Sequence, residues 1–235
     1  MRRRIVGRSR REDARAHQLT LFRRGGKRPG AGRKRRGPRP LVSHKARPKL
    51  SAHSPVLVTT RVHGGLPSLR HAAELKRLHA AFGAATEQFG FRLIHFSIQS
   101  NHLHFLVEAQ DATALARGMK GLIVRVARAL NRLWARTGSV FADRYHARIL
   151  ASPRAVRHAL AYVLNNARKH GIAHFGADPF SSGAWFDGWL ERRPARVDSP
   201  DDRDPPPRSS PRTWLLRVGW RKHGLVAWNE TPGRR

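Results

Sequence analysis

The segment Ser100-Asn101-His102-Leu103-His104-Phe105-Leu106-Val107-Glu108 constrains the fold more than any other stretch. Its residues alternate in character. As a strand it turns Leu103, Phe105 and Val107 to one side, and His102, His104, Leu106 and Glu108 to the other. A strand of this kind needs an apolar core on its first face. On its second face, two imidazoles two residues apart point the same way. That pair either ligates one divalent metal ion or is two half-exposed histidines on a sheet.

The flanking chain supplies a sheet and helices. Pro55 to Val62 is apolar and β-branched, a first core strand. Ser68 can cap a helix over 69–89, with Leu75, Leu78, Phe82 and Phe89 as its apolar stripe and Gly90 at its end. Phe91 to Gln99 forms a second strand, with Ile94, Phe96 and Ile98 on one face. Gln99-Ser100-Asn101 turns it into the histidine strand, making a hairpin. Asp111 can cap a helix over 112–137, with Leu115, Met119, Leu122, Val126, Leu130 and Leu133 buried. Arg125, Arg128, Arg132 and Arg136 recur on another side of it, either as a solvated face or as contacts to nucleic acid. Val140 to Leu150 reads as a further strand carrying Asp143, Arg144, Tyr145 and His146. The order strand, helix, strand, strand, helix, strand is the α+β, ferredoxin-like pattern of an antiparallel sheet with packed helices.

A last helix follows, with Ser152 as N-cap, Pro153 at its first position and Gly171 at its stop. Val156, Leu160, Val163, Leu164 and Ala167 cluster on one side of it. Tyr162 falls on the opposite side with His158, Asn165, Asn166 and Lys169. Asn166 is one turn beyond Tyr162, so both side chains can address one spot.

Charge narrows the partner. The chain of 235 residues has a formal net charge of +32. Residues 1–50 hold 19 Lys and Arg against 2 acids, 51–175 hold 17 against 5, and 176–235 hold 11 against 8. Tail and domain are both strongly basic, which points to a polyanion, nucleic acid first. Residues 1–54 read as a disordered basic arm that lies along phosphates. Residues 55–175 read as the folded domain. Residues 176–235 read as a Trp- and Pro-containing extension, with a flexible stretch from Pro194 to Pro211. The chain has no cysteine, which excludes disulfides, thiolate metal sites and cysteine nucleophiles. No apolar run approaches the roughly 20 residues that cross a bilayer, and no secretory signal is recognisable, so a cytoplasmic, nucleoid-associated protein is expected.

The block Asn101-His102-Leu103-His104-Phe105-Leu106-Val107 and the later block Tyr162-Val163-Leu164-Asn165-Asn166, followed by Gly171, together resemble the single-tyrosine HUH transposases. Within that insertion-sequence-200-like group, the chain most resembles the REP-associated tyrosine transposases. The resemblance covers roughly residues 55–175. It departs at Gln99-Ser100, where Met-Pro is common, and at Ala167, where Pro often stands. The resemblance implies that His102, His104 and the side-chain oxygen of Asn166 hold Mg²⁺ or Mn²⁺. It implies that Tyr162 attacks single-stranded DNA folded into hairpins, giving a 5′-phosphotyrosine intermediate. Arg125, Arg128, Arg132, Arg136, Arg144 and Lys169 are the expected DNA contacts, and a homodimer is compatible with the pattern. Tyr145 is expected to be structural or substrate-contacting. The competing reading keeps the fold and the basic surface as a catalytically idle hairpin-binding protein.

Overall fold

The hydrogen bonds of the sheet run in an order that the chain order conceals. The computed structural model describes residues 48–172, 176–191 and 206–231. The arm expected over 1–54 lies outside the described residues up to position 47, but Leu50 within it is buried in the core. Of the flexible stretch expected over Pro194 to Pro211, 194–205 lie outside the described residues. Residues 206–211 are packed on the sheet, Ser209 N donating to the Leu93 carbonyl at 2.7 Å. Five strands, β1 (Val56–Arg61), β2 (Glu87–Gln88), β3 (Phe91–Ile98), β4 (His102–Ala109) and β5 (His146–Ile149), form one sheet in the order β2-β3-β4-β1-β5. Every pairing is antiparallel. Setting the two-residue β2 aside, this is the ferredoxin-like arrangement, with the histidine strand β4 inserted between β1 and β3.

Two helix layers cover the sheet. Helices α1 (Ala72–Gly83) and α2 (Ala112–Leu133) pack on the face of Leu103, Phe105 and Val107, in a cluster with Val58, Phe82, Phe96, Leu122 and Val126. Asp111 caps α2 as expected, its Oδ1 accepting from Ala114 N at 2.7 Å. The close approach of α2 to β3 depends on Gly118, where a Cβ would lie 2.1 Å from Phe91 Cγ. Helix α3 (Pro153–Leu164) packs on the opposite face, with Ser152 as its cap. There Ile94 and Leu106 of the sheet meet Val156, Leu160 and Leu164 of the helix.

The extension completes this second layer. Phe186, Trp189, Leu216, Trp220 and Val226 belong to the α3-side cluster. The segment containing the short helix α5 (Trp214–Arg217) is held by one buried carboxylate. Glu108 of β4 pairs with Arg92 and accepts from Thr213 N at 2.8 Å, Thr213 Oγ1 at 2.7 Å and Arg212 N at 3.0 Å. A second anchor joins Arg70 to the fully buried Asp178 through two hydrogen bonds, of 2.9 and 2.8 Å.

Several element boundaries differ from the sequence expectation, each for a local reason. Helix α1 starts after His71 rather than Ser68, and it stops at Gly83. Phe89 is 79% exposed instead of lining the stripe. It and Gly90, both with positive φ, form the two-residue turn between β2 and β3. A bulge between Leu93 and His95 adds a residue to β3. That bulge puts Phe91, Leu93, Phe96 and Ile98 on the α1/α2 side and sends Ile94 to the other core. The strand expected from Val140 pairs continuously only over β5. Phe141 makes an isolated bridge to Val62, and the residues between loop out and bury Tyr145. Among the described residues, no helix is long and apolar enough to cross a membrane.

Candidate active site

The β4 register places the two histidines beside specific partners. Across β1, His102 faces Arg61 and His104 faces Thr59. Directly opposed residues share a face, so these four side chains, with His146 opposite Thr59, lie on the α3 side. His104 Nδ1 is 2.9 Å from Thr59 Oγ1, and His102 Nδ1 is 2.8 Å from Asn101 Oδ1. An amide oxygen only accepts, so His102 donates through Nδ1–H and its Nε2 carries a free lone pair. With the Thr59 hydroxyl accepting from His104, both rings take the same tautomer. This is how ligating imidazoles are usually oriented, the outer nitrogen tied and the inner one bare.

Electrostatics favour the neutral form of both. Burial, then Arg61, His170 and Lys169, lowers the pKa of His102 to about 4. Burial, then His102, His170, Lys169 and Arg61, lowers that of His104 to about 3. At neutral pH both rings are therefore uncharged, the state in which imidazole binds a metal.

Helix α3 brings the phenol to this pair. Tyr162 Oη lies 3.4 Å from His104 Nε2, and the rings meet edge-on with centroids 4.9 Å apart. The only other tyrosine, Tyr145, is buried in the α1/α2-side cluster, across the sheet from the histidines. The helix expected to run to Gly171 breaks at Asn165, whose backbone (φ −106°, ψ 18°) leaves the helical region. A short helix, α4 (Asn166–Lys169), follows the break. The Asn165 amide donates to the carbonyls of Ala227 and Glu230 at 2.9 and 3.0 Å, so the extension holds the break in place.

Beyond the break, Lys169 and His170 return to the site. Lys169 Nζ lies 4.9 Å from the centre of the Tyr162 ring, and His170 lies edge-on to His102 with centroids 5.5 Å apart. Asn166 is fully buried, and neither of its amide atoms has a hydrogen-bond partner among the described residues. A buried amide without a partner is costly, and a ligand would satisfy it. Among the described residues, no three His, Cys, Asp or Glu side chains gather as a metal-binding group. A cation on the histidine pair would therefore draw on another donor type.

The expected DNA contacts separate into four places. Lys169 is at the tyrosine. Arg144 lies in the loop before β5, next to Asp143. Arg125, Arg128 and Arg132 are on α2, across the sheet from the histidine pair. Arg136 donates to Asn131 Oδ1 at 2.7 Å, stapling the loop that follows α2. Sequence reading gave no role to Thr59, which lies 45 residues before His104 and meets it only through the register. It took His170 as a helix-end charge, without its neighbour His102.

Residues 68–166 match the model of the family described as "Transposase IS200 like". No curated protein matches the chain. A solved REP-associated tyrosine transposase bound to a REP hairpin is similar in fold, with a TM-score of 0.50 and 14% identity. The match covers 61% of this chain and 84% of that one. A transposase-like protein from Deinococcus radiodurans also aligns, with a TM-score of 0.35 and 14% identity over 46% of this chain and 83% of its own. The chain is thus similar to the IS200-like transposases in sequence over residues 68–166, and to a REP-associated tyrosine transposase in fold.

Proposed function

For a chain with the IS200-like transposase pattern, we propose a metal-dependent nickase and strand transferase that acts on hairpin-bearing single-stranded DNA through Tyr162. The observation that carries this reading is the placement of Tyr162 Oη 3.4 Å from His104 Nε2, on a helix packed over the histidine strand. The choice of hairpin DNA follows the REP hairpin held by the structural neighbour. The basic surface and the resemblance of the two sequence blocks support it.

In this reading Tyr162 Oη forms the bond to phosphorus and the bond to the 3′ oxygen breaks, leaving a 5′-phosphotyrosine and a free 3′-hydroxyl. The tyrosyl ester conserves the energy of the cleaved phosphodiester for strand transfer. Lys169 over the ring stabilises negative charge on the phenol oxygen and on the incoming phosphate. His102, His104 and Asn166 would hold Mg²⁺ or Mn²⁺, which when bound supplies Lewis-acid polarisation of the scissile phosphate. Thr59 and Asn101 fix the imidazole tautomers, and the tail contacts of Asn165 fix the angle at which α4 presents Asn166 and Lys169.

The test is incubation of the protein with end-labelled single-stranded DNA, carrying hairpins from the flanks of its own gene, and Mg²⁺ or Mn²⁺. A covalent protein–DNA band on a denaturing gel, absent with Tyr162→Phe and with His102→Ala, is the expected result. Tight hairpin binding without any band would replace this reading with that of an idle hairpin-binding protein.

A further inference from the structure

The α3 side of the sheet is covered unevenly. Helix α3 packs chiefly over β3 and β4. On β1 and β5 that side carries Thr59, Arg61, His146 and Arg148, and the last three are exposed. They form an open shelf that starts at the histidine pair. Arg61 is opposed to His102, and His146 continues the row from His104 through Thr59. Directly opposed Cβ atoms lie about 4.5–5.5 Å apart. The positive charge of Arg61 is felt at the pair, where it contributes to the lowered pKa of both rings. A merely solvated face usually intersperses charges of both signs. Neither β1 nor β5 contains an acid. Among the described residues, neither Arg61 nor Arg148 hydrogen-bonds through its side chain or pairs with a carboxylate.

We propose that this shelf retains the 3′-ended strand after cleavage, Arg61 and Arg148 holding the phosphates just upstream of the cut until that strand is rejoined. The assignment rests on the tyrosine-nuclease reading above and adds where the untethered half of the DNA is kept. Attack by Tyr162 ties the 5′-phosphate end to the protein through a covalent bond, but it frees the 3′-hydroxyl end. Rejoining needs that hydroxyl. Its oxygen forms the bond to phosphorus, the bond from phosphorus to Tyr162 Oη breaks, and the hydroxyl proton passes to the phenol oxygen. Holding the free end beside the tyrosyl ester turns this step from a bimolecular encounter into an intramolecular one. Geometry selects the shelf for that end. In phosphoryl transfer the attacking and leaving oxygens lie roughly in line, so the 3′ oxygen departs away from Oη. Tyr162 reaches the pair from a helix seated over β3 and β4, and β1 and β5 are the strands beyond the pair that this helix leaves open. Two strand spacings separate β5 from β4, roughly 10 Å, so the shelf meets the phosphates nearest the cut. Guanidinium groups suit phosphate oxygens, which they engage in bidentate pairs.

The test uses the full chain with Mg²⁺ and the hairpin-bearing strand from the flanks of its own gene, labelled at the 5′ end so that the label follows the 3′-ended product. Arg61→Gln/Arg148→Gln is compared with wild type and with Arg61→Lys/Arg148→Lys. The glutamine variant is expected to form the covalent adduct, to release the labelled strand about tenfold faster and to rejoin it correspondingly less, a change on the scale of one or two charge-assisted contacts. The lysine variant should recover part of the retention, since it keeps the charge. Neutral methylphosphonates in place of the phosphates just upstream of the cut should speed release from wild type by a similar factor and add little in the glutamine variant. The same replacement downstream should leave release unchanged. In a Tyr162→Phe background with EDTA, the glutamine pair should lower the slope of log K against log salt by about 1.4 on the upstream single strand, since each phosphate contact contributes about 0.7. An adduct that forms with release and rejoining unchanged overturns the proposal, as do upstream methylphosphonate effects that add fully to those of the variant. Loss of the adduct in the glutamine variant with its thermal midpoint intact overturns it in favour of a role in the attack itself. Absence of any adduct with wild-type protein is a distinct failure, which removes the nuclease reading and the retention role with it.

Discussion

The two faces of the sheet are built to different rules. Toward α1 and α2 the sheet presents Val58, Phe96, Phe105 and Val107, with Thr60 the buried polar exception on β1. Toward α3 and the extension it buries His95, Ser97, His102, His104 and Glu108 alongside Ile94 and Leu106. Alternate residues of one strand, β4, supply both. The first face gains free energy from area removed from water, which needs no direction. The second depends on matched donors and acceptors, each of which costs more when broken than it contributes when made. Local rules are commonly relaxed in this way where a chain does chemistry.

Substituting neighbours on β4 separates the two rules most sharply. His104→Ala should abolish the covalent DNA adduct while the protein still melts cooperatively, because the ring contributes little apolar packing. Phe105→Ala, one residue on, should destabilise the fold by about 3–5 kcal/mol in a denaturant titration. A Phe105→Ala protein that stayed as stable as the wild type would erase the distinction between the faces.

Glu108→Gln tests the polar face where no chemistry is proposed. It removes the buried ion pair with Arg92 and weakens the acceptor for Arg212 and Thr213. A loss of about 2–3 kcal/mol is expected, with faster limited proteolysis of residues 206–231.

Acid provides a milder probe. His95 is buried, with Nδ1 3.0 Å from Ser182 Oγ, and burial followed by Arg208 lowers its pKa to about 3. The unfolded chain takes up a proton near pH 6.5 and the folded one does not. Stability therefore holds above pH 6.5 and declines as pH falls toward 3. Between pH 7 and pH 5 the loss from this residue is roughly 2 kcal/mol, and His95→Gln should make that part of the stability curve shallower by that amount, the similarly lowered His102 and His104 keeping the rest of the slope. The smallest effect is expected at Asn165→Ala, roughly 1–2 kcal/mol from two lost hydrogen bonds. Hydrogen exchange should localise it to the tail over 224–231 and to α4.

Local patterns carried much of this molecule into view. Alternation across Asn101 to Glu108, the Asp111 and Ser152 caps and the apolar stripes of α2 and α3 are short-range features that the structure keeps, except that α2 stops at Leu133 rather than 137 and leaves Leu133 half-buried. The polar side of its helix set Tyr162 apart from the core, but its meeting with the histidine strand was implied only by the family resemblance of the two sequence blocks. The end of α1, the exposure of Phe89 and the bulge after Leu93 were not legible, because hydrogen bonding between β2, β3 and β4 overrode a helical pattern and a strand alternation.

What the sequence determined by itself is most of the principal strands and helices and the candidate polar groups, since these follow from residue chemistry at spacings of two to four. Only the tertiary structure decided which groups meet. Thr59 reaches His104 across 45 residues because β4 inserts beside β1. His170 and Lys169 return to the site because the helix breaks at Asn165 where the tail accepts its amide. The arginines of α2 lie away from the tyrosine because α2 and α3 pack on opposite faces. Register, handover between layers and the docking of a distant tail depend on contacts between residues far apart in the chain, which no short-range spacing encodes.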